Sequence, residues 1–431
     1  MRRTGGGYPV LRGLCSVLCS VLVASMGAYP MQAAPAGSPA QSWTEDLSRG
    51  NATNVAFTGG ALRLTGPTGL LTVAVHHLPV PVAQLHTQLS AALPPGSSAT
   101  VDARALLAGQ RWSEWLPERA GGPDLVTLPA PSTDLQLRVV LTGAPDPAAP
   151  RPEVRELRVD ARPVANMRVA APPAEPASYR VVATREGLQG GRTANGHQIS
   201  AGDLFVALPA RQALADTDGS EYSVKVCARS GYCAWAPVWD TGPWNVTDDY
   251  WQAERDQFPD LPQGVPEAQA AFRHDHNGGR DGFGRKVSNA AGIDLSDGIY
   301  QTALGLSGNA LVTVSYLWTG AVPLSTVHAG GTTGNGDPTN QSADQASTDS
   351  AQAAAAFPAT AATRSGADQP ENKKLVVVRT QPDPDAAASG VAADRAGVPV
   401  RCVTPNGWLR IDPDAYLPAD AVTTVTPARP C

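Results

Sequence analysis

Trp235-Ala-Pro-Val-Trp-Asp-Thr-Gly-Pro-Trp244 is the stretch that most constrains this chain, because it places one acid, Asp240, between tryptophans and before a Gly-Pro turn. Trp251 lies just beyond, so four of the nine tryptophans fall within seventeen residues. Several indole rings around an acidic turn are typical of a platform that stacks against sugar rings, with the acid placed to protonate a glycosidic oxygen. The alternative is a tryptophan-rich core edge with a turn-capping aspartate, and the sequence leaves both interpretations open.

Three further pieces of sequence flank this stretch in a fixed order. Gly191-Arg-Thr-Ala-Asn-Gly196 and Phe205-Val-Ala-Leu-Pro209 precede Asp240-Thr-Gly-Pro-Trp244, and Gly292-Ile-Asp-Leu-Ser296 follows it after a long gap. Together they resemble the T-A-N-G turn, the A-H-x-x-L-P strand, the D-R-G-P turn and the I-D-L-S strand of the rare lipoprotein A and expansin-like families. The resemblance covers residues 178–319 and implies a six-stranded double-psi β-barrel.

The same resemblance implies two candidate catalytic residues. Asp240 corresponds to the turn acid that binds or cleaves glycan in these families, and Asp294 corresponds to a second acid that organises the groove. His197 follows the T-A-N-G turn, where the family often has an acid, and the chain departs from the family pattern in two further places. Residues 205–207 contain no histidine where the family strand has one, and Thr241 replaces the arginine of the turn. The missing histidine favours glycan binding over glycan cleavage.

The aromatic residues around the two acids are the candidate glycan-binding residues. For each ring the alternative interpretation is packing in the core. The candidates are Trp235, Trp239, Trp244, Tyr250 and Trp251.

Residues 245–291 form an insert that is much longer than the corresponding connection in the families named above. Long ordered inserts often serve as lids or binding loops. His274, Asp275 and His276 could bind a metal, but a solvated loop is the simpler interpretation. Residues 275–281 could hold Ca²⁺, but their spacing is not that of an EF-hand loop. We therefore predict neither a metal nor a cofactor.

The N-terminal residues have the pattern of a secretory signal peptide. Met1-Arg-Arg precedes the apolar run Leu14–Ala28, and the small residues Ala33 and Ala34 follow. We predict a signal peptide at residues 1–34 and a secreted or cell-wall-associated protein without stable membrane insertion after cleavage. A lipoprotein and a retained N-terminal anchor are the alternatives.

Cysteine usage and charge fit an exported protein. Four cysteines remain beyond the signal, and an even number favours disulfides over metal thiolates in an oxidising compartment. Proximity in sequence favours the pairs Cys227–Cys233 and Cys402–Cys431, although four cysteines permit three pairings. The chain carries a net charge of −6 and loses three arginines with the signal, so nucleic acid is not an expected partner.

The remaining sequence predicts further β-rich modules joined by linkers. Residues 42–162 alternate apolar and polar side chains and predict a jelly-roll-like β-sandwich. Residues 320–372 are rich in small and polar residues and predict a disordered linker. Residues 373–431 contain Gly407-Trp-Leu-Arg-Ile411 and resemble a small bacterial SH3-type barrel.

The sequence thus predicts a mainly β, monomeric, exported protein that binds a cell-wall glycan or another polysaccharide, in the manner of expansins, without efficient hydrolysis. One alternative is a peptidoglycan lytic transglycosylase or glycosidase that uses Asp240 as its general acid. A second alternative is a structural surface protein with a vestigial barrel.

Overall fold

A computed structural model describes most of the chain beyond the predicted signal peptide. The described residues are 40–118, 124–164, 167–329, 374–423 and 428–431. The predicted signal peptide lies outside the described residues. Residues 330–372 of the predicted disordered linker also lie outside them. The described residues form a mainly β protein, as predicted. None of their helices combines the length and apolarity that a membrane crossing requires.

The N-terminal part contains eleven strands within the described residues. They are β1 (Gln41–Thr44), β2 (Asn51–Thr53), β3 (Val55–Thr58), β4 (Ala61–Leu64), β5 (Thr68–Thr72), β6 (His76–Ala92), β7 (Ser98–Leu107), β8 (Arg111–Trp112), β9 (Leu116–Pro117), β10 (Leu125–Thr142) and β11 (Glu153–Arg162). The predicted period of two is visible in the second half of β11, where the fully buried Leu157, Val159 and Ala161 alternate with charged residues.

These eleven strands form one antiparallel sheet around one apolar core. The long strands β6 and β10 pair with different partners along their length: β10 bonds to β6 through its first half and to β5 and β7 through its second. Register shifts after Thr127 and Ser132 bend β10, which lets the sheet fold over its own core. The predicted sandwich therefore consists of one folded sheet.

The central part contains six strands that close into a barrel. They are β12 (Ser178–Arg185), β13 (Val206–Leu208), β14 (Ser223–Cys227), β15 (Cys233–Thr241), β16 (Ala291–Leu295) and β17 (Ala310–Tyr316). The hydrogen-bonded order is β12-β17-β14-β15-β13-β16, and β16 returns to β12. The β12–β16 and β13–β15 pairs are parallel and the other four are antiparallel. The predicted closed six-stranded barrel is confirmed.

The insert between β15 and β16 is ordered. It contains a helix, α1 (Glu267–His274), whose buried alanines Ala268 and Ala271 pack with Val287. A π-helix, Gly298–Ala303, follows β16, and its buried Ile299 and Tyr300 belong to the barrel core. The insert therefore adds a small apolar cluster of its own beside the barrel.

The C-terminal part is joined to the barrel by strand pairing. Its strands are β18 (Leu324–Val327), β19 (Leu375–Arg379), β20 (Ala388–Ala393), β21 (Gly397–Pro399), β22 (Cys402–Val403), β23 (Trp408–Asp412), β24 (Ala415–Pro418) and β25 (Val422–Thr423). β20 lies parallel to β15, so the barrel sheet continues into β19, β24, β23 and β22. The prediction of a linker from residue 320 onward was wrong at its start, because β18 pairs with β21 and β25.

The N-terminal sheet also packs directly on the barrel, through Trp115. This ring is fully buried and lies between two guanidinium groups, 4.2 Å from Cζ of Arg104 and 4.3 Å from Cζ of Arg138. Its Nε1 donates to the carbonyl oxygen of Leu214 at 3.2 Å. A module held only by a linker would not share a buried indole with its neighbour, so the prediction of separate modules on linkers was wrong for this pair.

Buried ion pairs surround Trp115. Arg104 donates to Asp216 at 2.6 Å and to Glu221 at 2.8 Å, both on the barrel side. Arg138 donates to Asp102 at 2.7 Å within the N-terminal sheet. Buried charges without partners carry a large desolvation penalty, so each guanidinium requires its carboxylate to stay in place. The interface is therefore specified by charge as well as by apolar packing.

Both predicted disulfides, Cys227–Cys233 and Cys402–Cys431, are present. The first closes a loop with a sequence separation of 6 and the second closes one of 29. Because stabilisation by a cross-link grows with the loop it closes, we expect Cys431→Ser to lower the free energy of unfolding by roughly 3 to 4 kcal/mol and Cys233→Ser by less. Urea denaturation of the two full-length variants measures the difference, and a larger loss for Cys233→Ser would contradict the prediction.

Candidate carboxyl site on the barrel

Asp240 and Asp294 lie in one row across the barrel. Ala207 of β13 pairs with Asp240 of β15 on one side and with Asp294 of β16 on the other. Directly paired residues point to the same face of a sheet and neighbouring strands lie about 4.8 Å apart, so the two aspartate backbones are about 10 Å apart on one face. Ala207, which lies between them in this row, is buried. The structure thus brings the two predicted catalytic acids together.

Backbone and side-chain donors hold each aspartate in place. Oδ1 of Asp240 accepts hydrogen bonds from the amides of Ala194, in the T-A-N-G turn, at 2.9 Å and of Thr241 at 2.7 Å. Oδ1 of Asp294 accepts one from the hydroxyl of Thr184, its neighbour on β12. Both aspartates are half-buried. Each carboxylate is therefore oriented while part of it stays accessible.

A third carboxyl group, which the sequence analysis missed, completes the site. Glu186 follows the last residue of β12, and its amide donates to the carbonyl oxygen of Leu295 at 2.9 Å, which anchors it beside β16. Its side chain shares a hydrogen bond with Asp240. No motif marks Glu186 in the sequence. The one available signal is its position at the end of a strand that runs parallel to the strand of Asp294.

These three groups, Glu186, Asp240 and Asp294, are called the carboxyl cluster below, and their environment favours protonation. Burial raises the pKa of Glu186, and the hydrogen bond to Asp240 and the negative charge there raise it further. Burial also raises the pKa of Asp240, and the hydrogen bonds at this carboxyl group lower it by less. Two carboxyl groups in contact cannot both ionise at low cost, so this pair retains one proton at neutral pH.

Asp294 has a different environment. Burial raises its pKa to about 6, the hydrogen bond from Thr184 opposes that increase, and the charge of Asp240 adds to it. At neutral pH Asp294 is therefore mostly ionised beside a pair that still carries a proton. Carboxyl groups whose pKa values are pushed apart in this way can divide the roles of acid and base between them.

Four of the five predicted glycan-binding aromatics lie in the core. The exposed fractions are 2% for Trp235, 6% for Trp239, 0% for Tyr250 and 1% for Trp251. Rings with so little exposed surface have no face to offer a sugar, so their assignment to a stacking platform was wrong. The core-edge interpretation describes these four rings.

Distant partners account for this burial. Trp235 is covered by β20, where a Cβ on Gly390 would lie 2.9 Å from the indole. Trp251 stacks on Tyr316 at 5.0 Å, and its Nε1 donates to Glu114 of the N-terminal part at 2.8 Å. Segments far away in the chain therefore cover rings that the local sequence leaves ambiguous.

Trp244 is the predicted aromatic that keeps a partly exposed ring. Its backbone has a positive φ of 64°, at the end of the turn that carries Asp240. Its Nε1 donates to Oδ1 of Asn289 at 3.0 Å, and Cζ of Arg285 lies 5.8 Å from the ring. Residues of the insert therefore fix this indole at the surface.

The polar residues of the insert have structural partners. His276 lies 3.3 Å from Glu267 and 3.1 Å from Asp260, whereas His274 is exposed. Asp281 is buried and accepts from the amides of Phe283 and Arg285, so it closes a turn. In the part of the chain that the structure describes, no group of three His, Cys, Asp or Glu side chains is arranged to hold a metal ion.

A separate pocket lies at the C-terminal part of the chain. Arg401, Arg410 and Arg429 are among its lining residues, together with Glu175 and the Cys402–Cys431 disulfide. None of its lining residues belongs to the carboxyl cluster. The carboxyl cluster therefore lies apart from this pocket.

The raised carboxyl pKa values make stability depend on pH. Burial raises the pKa of Asp294 to about 6 and those of Asp249 and Glu118 to about 7. Each of these carboxyl groups binds its proton more tightly in the folded state than in the unfolded state, where its pKa is about 4. Its contribution to stability is complete below that unfolded-state pKa and is lost as pH rises through the folded-state pKa. The loss therefore falls between about pH 4 and pH 7.

We expect a higher Tm at pH 5 than at pH 8, by roughly 5 °C or more, since these groups together contribute a few kcal/mol. Calorimetry at the two pH values measures the difference. Asp249→Asn should reduce it, because the amide cannot ionise and still accepts the hydrogen bond from the amide of Asp256. A Tm that is equal at both pH values, or higher at pH 8, would contradict the prediction.

Comparison with known proteins concerns the barrel. Residues 177–315 match a family described as a domain of unknown function (DUF8814). The matched segment contains all of the barrel from the first residue of β12 to the penultimate residue of β17, together with the insert. No curated protein matches the chain. The part of the chain that carries the carboxyl cluster is therefore similar to this family of unknown function.

Proposed function

We propose that the protein is exported and binds a polysaccharide, with bacterial cell-wall glycan as the leading candidate, across the barrel face that carries the carboxyl cluster. We further propose that the cluster cleaves this polysaccharide by acid–base catalysis. The observation that carries the proposal is the row across the barrel that places Asp240 and Asp294 on one face, with Glu186 beside Asp240. The signal-like N-terminus and the two disulfides support an exported protein.

The chemistry assigns separate roles to the three carboxyl groups. The Glu186–Asp240 pair donates its proton to the glycosidic oxygen as the bond from that oxygen to the anomeric carbon breaks. Asp294 accepts a proton from the hydroxyl that attacks the anomeric carbon. In a glycosidase this hydroxyl belongs to water, and in a lytic transglycosylase it is the 6-hydroxyl of the same sugar. A proton then returns from Asp294 to the pair, directly or through water.

A second candidate function is binding without turnover, as the sequence predicts. Phe205 occupies the place of the family histidine, and it is fully buried in the barrel core. No imidazole from this strand therefore reaches the carboxyl cluster. This observation favours a protein that holds a polysaccharide through hydrogen bonds to its carboxyl groups and leaves the glycosidic bond intact.

One experiment separates these candidates. The mature full-length protein is incubated with purified peptidoglycan and, separately, with cellulose, and both binding and soluble products are measured. Release of anhydro-sugar or reducing fragments supports the enzyme. Co-sedimentation without fragments supports binding alone. If the protein neither binds nor cleaves either polymer, both candidates fail and a structural surface protein remains.

A further inference from the structure

Three phenylalanines are conspicuously exposed in the described residues, and two of them lie in the insert. Phe272 is 52% exposed and Phe283 is 59% exposed, whereas the third, Phe57 at 40%, lies on β3 of the N-terminal sheet. Single exposed apolar side chains are ordinary on protein surfaces. Phe283 differs because it is one end of a fixed row of side chains.

Arg285 forms the middle of that row. Its Cζ lies 5.0 Å from the centre of the Phe283 ring and 5.8 Å from the centre of the Trp244 ring. Its Nε donates to the buried Asp281 at 2.6 Å, and it also donates to the carbonyl oxygen of Trp244. We call Trp244, Arg285 and Phe283 the aromatic strip. The buried carboxylate holds the arginine in place, and the arginine connects the two rings.

The aromatic strip begins close to the carboxyl cluster. A Cβ on Gly242 would lie 3.8 Å from Oδ2 of Asp294, so the turn passes directly beside that carboxyl group. Trp244 is two residues further on, which places its Cα within about 7 Å of the Cα of Gly242. A polymer that crosses the cluster toward the insert would meet the aromatic strip within the length of one or two sugar units.

We propose that the aromatic strip is a sugar-binding subsite for the same polysaccharide that the carboxyl cluster binds, an inference that rests on the proposed function. The exposed ring of Phe283, and the part of the Trp244 ring that is not packed against Ala268, Ala271 and Val287, offer apolar faces that match the C–H faces of pyranose rings. Asp281 already neutralises Arg285, so the strip attracts sugar rings by stacking and does not select a polyanion. This subsite replaces the platform that the four buried rings cannot form.

The test compares Phe283→Ala with two other full-length variants in co-sedimentation with peptidoglycan and with cellulose. Phe57→Ala is the matched control, because it removes an exposed phenylalanine from the N-terminal sheet, outside the barrel and its insert. Phe283→Tyr keeps an aromatic ring. We expect Phe283→Ala to raise the Kd for the bound polymer about tenfold, and the other two variants to stay within about twofold of wild type. The Tm of all three variants should match that of wild type.

The outcomes separate the subsite from the function on which it rests. If wild type binds a polymer and Phe283→Ala binds it equally well, or Phe57→Ala binds it as weakly, the subsite is overturned and the proposed function stands. If wild type binds neither polymer, both are overturned. A lower Tm for Phe283→Ala would assign this ring to folding and would also overturn the subsite.

Discussion

An Asp240→Asn variant is expected to release soluble fragments from peptidoglycan at least about a hundredfold more slowly than wild type, because removal of a general acid typically costs 10²–10⁴ in rate. Asparagine keeps a side-chain oxygen that can accept from the amides of Ala194 and Thr241, so the turn should hold its shape. It cannot hold the proton that Asp240 shares with Glu186. Binding, measured by co-sedimentation, should stay within a few-fold of wild type.

Two further variants sharpen this prediction. Glu186→Gln should slow fragment release as strongly as Asp240→Asn, since the proton belongs to the pair. Asp218→Asn is the matched control, because Asp218 is exposed and its φ of 58° suits asparagine. Fragment release that survives Asp240→Asn would place the chemistry elsewhere, with the insert as the next candidate. If wild type releases no fragments, Asp240→Asn should change the affinity alone, by about 1 kcal/mol.

Trp115→Ala is expected to lower the free energy of unfolding by about 4 kcal/mol. Truncation of a fully buried tryptophan leaves a large cavity, and typical losses are about 3–5 kcal/mol. In this protein the guanidinium groups of Arg104 and Arg138 would also lose the indole on which both pack. Urea denaturation of the full-length protein measures the loss.

Trp112 supplies the control for this prediction. It also stacks on Arg104, at 4.6 Å, but it is only partly buried. Trp112→Ala should therefore cost less than half as much as Trp115→Ala. Equal losses for the two variants would mean that Trp115 does not hold the N-terminal sheet to the barrel, and that the interface depends on the ion pairs alone.

Local pattern predicted the strands of the barrel, and the resemblance of its motifs to known families implied that the strands close. Strand residues that alternate between core and surface have a period of two that does not depend on distant partners. The family resemblance of the ordered pieces around Thr193–Gly196 and Gly292–Ser296 implied one barrel that carries both Asp240 and Asp294, and the structure places β13 between their strands. Both disulfides followed from proximity in sequence, because each closes a short loop.

The sequence by itself thus predicted the mainly β fold, the closed barrel, the presence of Asp240 and Asp294 in that barrel, and the disulfide pairs. The tertiary structure alone decided which rings are buried and which acids meet. Trp235 is covered by Gly390, more than 150 residues away, and Glu186 reaches Asp240 because the barrel closes. Burial and charge coupling depend on contacts between segments far apart in the chain, and no local periodicity encodes those contacts.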